Sequence, residues 1–348
     1  MASPHHPPPG NHNNDSDDDE FQLDSDLEEL GTNDFPGYFV ERDSRLFHSN
    51  VTSQYPLPVD TPEQKRMNVQ HRILFEIMGA LYPPHCPVPA LLAPHPKRQR
   101  YVLDICTGTG QWVTDMAADY QHVAFRGFDL VPFATRYPPA NVQFSTHDVN
   151  TVAPWQSGTF DIVHARSISM AVISYPALLA EAARLLRPSG CYIGGEWSRM
   201  LFTLVIPGPG MNPQPIPVTQ QTAPFLAQFF AALHAALAAP PNPLPPTAPL
   251  VAPLLALQPQ HYDASSITAA THLVPIGAWP QHPQNLQRTG RTYRNVFREY
   301  MQSVRPLLQR KSGLPDAVLG QIYAGAKVEL RHTPGLLAVY NSVFARRI

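Results

Sequence analysis

Five short apolar runs recur between residues 101 and 197, and segments with helical spacing separate them. The runs are "YVLDI", "VAFRGFDL", "NVQFSTHDV", "FDIVHARSI" and "CYIGGEW". Between the first two, "QWVTDMAADY" sets Trp112, Val113, Met116, Ala117 and Tyr120 on one helical face. "YPALLAEAARLLRPSG" reads as a helix opened near a proline and closed at Gly190. Strands that alternate with helices cannot pair by tight hairpins. They demand crossovers, and so a parallel, doubly wound α/β sheet with ligands at the carboxyl ends of its strands.

The first crossover carries the chemistry. In "LDICTGTGQW" (103–112), an apolar strand reaches Asp104, passes a loop of small residues and opens a helix. Gly108 and Gly110 allow a tight turn and a close backbone approach to a ligand, and the helix start offers free N–H groups. Asp129 ends the second strand, 19 residues after Gly110, where a carboxylate can accept both hydroxyls of a ribose. Asp148 ends the third strand, where it can accept an exocyclic adenine amine. A dinucleotide fingerprint would want glycine where Val113 stands, and no phosphate loop of the G-x-x-x-x-G-K-[ST] kind occurs. "YAGAK" (323–327) imitates a Tyr-x-x-x-Lys hydride-transfer pair but lies far from the fourth strand. A cofactor with ribose and adenine but no phosphate fits best, which is S-adenosylmethionine.

Charge is distributed unevenly. Residues 1–34 hold ten acids and no Lys or Arg, so a net charge of −2 conceals 17 acids against 25 bases in the rest. A tract so acidic and poor in apolar residues cannot offset its ordering entropy, so residues 1–50 are expected to be a disordered acidic tail, with partner binding as its alternative use. "PKRQR" (96–100) reads as a solvated surface run, and no direct nucleic-acid binding is expected. Three cysteines form no framework, the N-terminus has no signal-peptide pattern and no apolar run reaches 18 residues. The expectation is a cytoplasmic or nuclear protein without a membrane span.

Fourteen of the 40 prolines fall in residues 201–260, around the helical piece "FLAQFFAALHAALAA". Proline fixes φ and removes a donor, so this region reads as a Pro-rich insertion or lid carrying one amphipathic helix. The expected layout is a single domain over 51–348. It comprises a helical lead-in (55–100), a cofactor-binding core (101–200), the insertion (201–260) and a C-terminal part of the sheet with its helices (261–348).

"VLDICTGTGQW", "GFDLVP", "STHDV", "FDIVHAR" and "LLRPSGCYI" resemble the successive motifs of class I S-adenosylmethionine-dependent methyltransferases. The resemblance is nearest to the fungal LaeA-type group, regulators of secondary metabolism. "YPLPVDTPEQKRMNVQHRILFEIMGALYP" (55–83), "VPIGAWP" (274–280), "VFREYMQSVRPLL" and "LLAVYNSVFARR" extend it over most of residues 55–346. It implies a Rossmann-like seven-stranded sheet with helices on both faces and methyl transfer to an unidentified acceptor, a small molecule or a protein. The alternative is a cofactor-binding regulator with little or no turnover, acting through a regulatory protein partner.

Residue by residue, the resemblance puts Asp104, Cys106, Thr107, Gly108 and Gly110 around the methionine part of the cofactor. Asp129 with Leu130 falls at the ribose, and Asp148 with Val149 at the adenine. His164, Ala165 and Arg166 follow on the fourth strand, with His164 as candidate catalytic base. Arg166 can instead pair with Glu196 or Glu181, and Arg66 and His71 in the lead-in read as packing or surface groups. No Asn/Asp-Pro-Pro-Tyr signature follows the fourth strand, which disfavours amino methylation of a nucleobase. Two residues depart from the family pattern: Cys106 and Ser189 stand where glycine is usual. Because positive φ costs an L-residue ~1–2 kcal/mol, Cys106 is expected at φ < 0 with its thiol against protein.

Overall fold

The computed structural model describes residues 33–132, 134–135, 137–205, 213–240, 243–245, 248–277, 279 and 284–348. Residues 1–32 of the expected acidic tail lie outside the described residues. Residues 33–50 do not continue a disordered tail. A 3-10 turn over Phe35–Tyr38 leads into a hairpin of β1 (Phe39–Arg42) and β2 (Arg45–His48). Its two-residue turn places Asp43 and Ser44 at φ 52° and 57°, the left-handed geometry that matches strand twist. Phe47 supplies the apolar anchor that a purely acidic reading of this region overlooks.

The lead-in is helical. In α1 (Thr61–Met78), Asp60 caps the start by accepting from Glu63 N, Pro62 lies in the first turn, and Gly79 closes the helix at φ 71°. A short α2 (Val88–Leu91) precedes β3 (Arg100–Ile105). Then follow α3 (Gln111–Asp119), β4 (Val123–Asp129), β5 (Val142–Thr146), β6 (Phe160–Arg166), α4 (Tyr175–Leu185) and the long β7 (Leu186–Val205). The C-terminal half adds β8 (Gln214–Pro217), α5 (Pro224–Ala238), α6 (Val251–Ala256), β9 (Thr268–Pro275), α7 (Gln284–Lys311), α8 (Asp316–His332) and β10 (Leu336–Arg346).

The sheet runs β5-β4-β3-β6-β7-β10-β9, with β8 paired to the far end of β7. β5, β4, β3, β6 and β7 are parallel, and β10 is antiparallel to both β7 and β9. The order reverses direction at β3, which opens a ligand crevice at the carboxyl ends of β3 and β4 beside β6. Alternation along β3 divides the core. Tyr101, Leu103 and Ile105 pack on the face covered by α4 and α6, whereas Val102 packs with Trp112, Val113 and Met116 of α3.

Among the described residues, the Pro-rich segment carries one long helix, α5, that is packed into the core. Leu226, Phe229, Phe230, Leu233 and Leu237 of α5 are buried with Tyr293, Phe297 and Met301 of α7 and Leu319, Ile322 and Tyr323 of α8. Its apolar residues surround the helix, and a helix of that kind packs inside the fold. α5, α7 and α8 thus form a third core layer against β7, β9 and β10.

Candidate active site

Ten of the sequence-predicted residues line one cavity at the carboxyl ends of β3, β4 and β6: Asp104, Cys106, Thr107, Gly108, Asp129, Leu130, Asp148, Val149, His164 and Arg166. Two do not. Gly110 is buried in the turn beneath, where a Cβ would come within 2.5 Å of the Phe144 ring, and its φ is 74°. Ala165 points to the other face of the sheet, into the core with Leu103 and Leu179.

Cys106 corrects an expectation. Its φ is +53°, so the position does require the left-handed conformation. The cause is the strand exit: Thr107 N still bonds Phe128 O at 2.8 Å, while Gly110 N turns back to Thr107 O at 3.0 Å. Joining a last ladder bond to a tight reverse turn leaves residue 106 no right-handed route. Ser189 behaves alike, at φ +64°. The Cys106 thiol packs partly against the Ile105–Phe128 core, and burial beside Asp129 and Asp104 pushes its ionisation well up. It stays a neutral thiol.

The loop is held by carboxylates. Thr107 Oγ1 donates to Asp104 Oδ2 at 2.8 Å. Asp129 accepts from Gly108 N at 2.8 Å and Leu130 N at 2.7 Å. Burial nevertheless raises the Asp129 carboxyl to about 6. Asp148 accepts from Asn150 N and Nδ2 at 2.9 and 3.0 Å, which fixes the turn after β5.

His164 lies beside Asp104 across β3 and β6, with Nδ1 2.6 Å from Asp104 Oδ1. Its ring lies flat on Trp112, centroids 3.6 Å apart and planes 9° from parallel. Burial lowers its basicity, so the ring is neutral and Nδ1–H donates to the carboxylate.

Arg166 pairs with neither Glu196 nor Glu181. Its Nη2 donates to His71 Nδ1 at 2.7 Å, and His71 Nε2 meets Asp115 Oδ2 at 2.8 Å. Arginine only donates, so His71 must accept at Nδ1 and carry its proton on Nε2. Burial and the Arg166 charge lower its basicity to about 4. Gln111 Nε2 completes the chain on Asp115 Oδ1 at 2.8 Å. The expected packing residue His71 therefore orients a site residue.

Opposite the glycine loop the cavity is walled mostly by residues the sequence did not flag. Tyr55, Phe230, Tyr293, Phe297 and Tyr300 supply rings, Trp197 faces Tyr293 at 5.0 Å, and Arg199 and Glu196 bring charge. Glu196 is tied to Ile168 N at 3.0 Å and Tyr175 Oη–H at 2.8 Å. Since α5 and α7 begin more than 110 residues after the glycine loop, no local pattern near it could have announced these walls.

A methyltransferase-domain family model matches residues 102–190, which run from β3 into β7 and contain the glycine loop, Asp129 and Asp148. Residues 102–190 therefore carry a methyltransferase domain. The secondary metabolism regulator laeA of Coprinopsis cinerea is 34% identical over 152 residues, 43% of this chain and 37% of that protein. The methyltransferase pytC of Aspergillus terreus is 30% identical over 172 residues, 48% and 49% respectively. The protein-methionine methyltransferase laeA of Emericella nidulans is 30% identical over 158 residues, 44% and 39%. The match spans less than half the length of each of these relatives. Domains of this class use S-adenosylmethionine, and the residues around the loop fit it. Gly108, at φ 58°, leaves the loop without a side chain at the cavity, and acids stand at the ends of two neighbouring strands. No helix among the described residues is long and apolar enough to cross a membrane.

Proposed function

We propose that the chain is an S-adenosylmethionine-dependent methyltransferase, acting on an acceptor that enters the aromatic half of the cavity and serving fungal secondary metabolism as its relatives' names indicate. The observation that carries this is the continuity of one cavity. The glycine loop, Asp129 and Asp148 line one side, and Trp197, Phe230, Tyr293 and Tyr300 line the other. When bound, S-adenosylmethionine supplies a methyl group on a positive sulfur, so the acceptor's lone pair forms the new bond as the carbon–sulfur pair returns to sulfur.

The chain's residues bind, orient and exclude water. Asp129 takes the ribose hydroxyls and Asp148 with Val149 borders the adenine. Gly108 lets the backbone pass close to the methionine part. Asp104 holds Thr107, and so the loop, while His164 backs that carboxylate from Trp112. His164 thus has a positioning task, with Nδ1 already committed. Arg166, steered by His71 and Asp115, borders the point where the two halves meet. Orientation of this kind can contribute ~7–11 kcal/mol toward a displacement that needs no activated leaving group from the protein.

Calorimetry with S-adenosylhomocysteine tests the binding half. The folded chain should bind it, and Asp129→Ala should weaken binding by ~1.5–3 kcal/mol, the worth of charged hydrogen bonds. Unchanged affinity in a folded variant removes Asp129 from the site. Incubating the chain with fungal extract and cofactor carrying an isotope-labelled methyl tests turnover. Tight binding with no labelled product would favour a cofactor-dependent regulator, a reading that the strained Cys106 in the glycine loop also suits.

A further inference from the structure

Arg199 is a buried cation in the cavity wall. Its relative exposure is 7%, yet Nε and Nη2 have no hydrogen-bond partner among the described residues. Nη1 alone is used, donating to the Pro245 carbonyl, and the Arg199 carbonyl accepts from His234 at 2.9 Å. A buried guanidinium with two idle nitrogens is retained against a desolvation cost of several kcal/mol.

The idle pair is a particular one. Nε and Nη2 form the side-on edge of guanidinium, whose two parallel N–H bonds match the two oxygens of a carboxylate. Among the described residues, three other arginines use that edge on a carboxylate. Arg45 grips Asp60 with it, Arg66 grips Glu63 at 3.0 and 2.7 Å, and Arg184 grips Glu181 at 2.8 and 2.6 Å. Glu196 is the nearby acid, but it makes no ion pair with Arg199 and is already held by Ile168 N and Tyr175. Burial lowers the basicity of Arg199, and the Glu196 charge offsets this only through space.

The backbone is built to aim this side chain. β10 pairs Tyr340 with Trp197 and Ala338 with Leu201, so residues 198–200 of β7 stand opposite the single Val339. Such bulges redirect side chains beside active sites. Arg199 also lies away from the cofactor side. The acids that fit S-adenosylmethionine end β4 and follow β5, whereas Arg199 is on β7, beyond β6, among the rings of Trp197, Phe230, Tyr293, Phe297 and Tyr300.

We propose, resting on the methyltransferase reading above, that the methyl acceptor is a small ring-bearing carboxylic acid whose carboxylate is gripped by the Nε–Nη2 edge of Arg199 between these aromatic walls. The carboxylate is the handle, and the rings exclude water from it and take the apolar body. A thioether side chain of a protein, having no negative charge, would leave Arg199 buried and unpaired.

The test compares matched probes on the full chain, with and without saturating S-adenosylhomocysteine. 3-Phenylpropanoate should bind at least tenfold more tightly than 3-phenylpropanamide, and more tightly than acetate or inorganic phosphate. Arg199→Gln should erase that preference and Arg199→Lys should weaken it, while S-adenosylhomocysteine affinity stays within twofold. Equal binding of acid and amide overturns the proposal, as does equal binding of phosphate. A variant that loses S-adenosylhomocysteine as well would assign Arg199 to the cofactor and overturn it too. The wild-type comparison needs no variant to fold. A chain that takes up no S-adenosylhomocysteine sinks the methyltransferase reading instead, and the acid-over-amide preference is then decided on the free chain.

Discussion

At the scale of single residues, Cys106 and Asp129 show a site that carries strain and uses burial. Cys106 at φ +53° bears ~1–2 kcal/mol that glycine would not. Cys106→Gly should therefore hold or raise stability by up to ~1 kcal/mol, after the extra freedom glycine gains in the unfolded chain. Cys106→Val should lower it by more than ~1 kcal/mol, since a β-branched residue tolerates positive φ worse. Denaturant melts of the two variants decide this, and a stable valine variant would refute the strained-turn account. Asp129 is raised to about 6 by burial, and only its ionised form accepts two ribose hydroxyls. As pH falls through about 6 the carboxyl takes up a proton, so affinity for S-adenosylhomocysteine should fall toward tenfold per pH unit and level off above pH 7. Asp129→Asn should bind weakly and show no such slope. A wild-type chain with flat affinity from pH 5 to 7.5 would show that Asp129 does not bind through its charge.

At the scale of elements, α5 beside the site takes its cap from another helix. α5 begins at Pro224 without a side-chain cap of its own. Glu329 of α8 supplies one, accepting from Phe225 N at 2.9 Å and Leu226 N at 2.7 Å, a carboxylate at the positive end of the helix. Gly325 beside it admits the Phe225 ring, which a Cβ would strike. Glu329→Ala should cost ~1–2 kcal/mol in denaturant melts, and Glu329→Gln should recover part of that. Phe230 would be loosened with α5, so the acceptor half should suffer before cofactor affinity does. A Glu329→Ala chain as stable as wild type would mean that water caps α5 equally well.

At the scale of the whole molecule, the lead-in is part of the catalytic body. Glu63 of α1 is 1% exposed, pairs with Arg66 and accepts from Ser303 of α7 at 2.6 Å. One carboxylate thus ties α1 to α7 beside the cavity. Glu63→Ala strands Arg66 as an unpaired buried cation and should cost ~3–5 kcal/mol. Replacing both, as Glu63→Leu with Arg66→Met, should return most of that loss, because the two desolvation costs leave together. A double variant no more stable than the single one would contradict the pairing.

Local order determined what the sequence could announce by itself. Strands β3 to β7, the turn at Gly108 and Gly110 and the acids at the strand ends follow from side-chain period and glycine geometry within some 20 residues, so they were legible together with the cofactor class. Cys106 misled because the sign of its φ is decided by a ladder bond to Phe128, a residue 22 positions away. The hairpin at 39–48 is hidden by the charge of its neighbours, and proline density says nothing about what α5 packs against. The Asp115–His71–Arg166 chain, the bulge that turns Arg199 and the aromatic walls join residues from α1, α3, β6, β7, α5 and α7. Those contacts exist only once the helices close over the sheet edge. Local propensity carries no information about such pairings, and tertiary packing alone selects them.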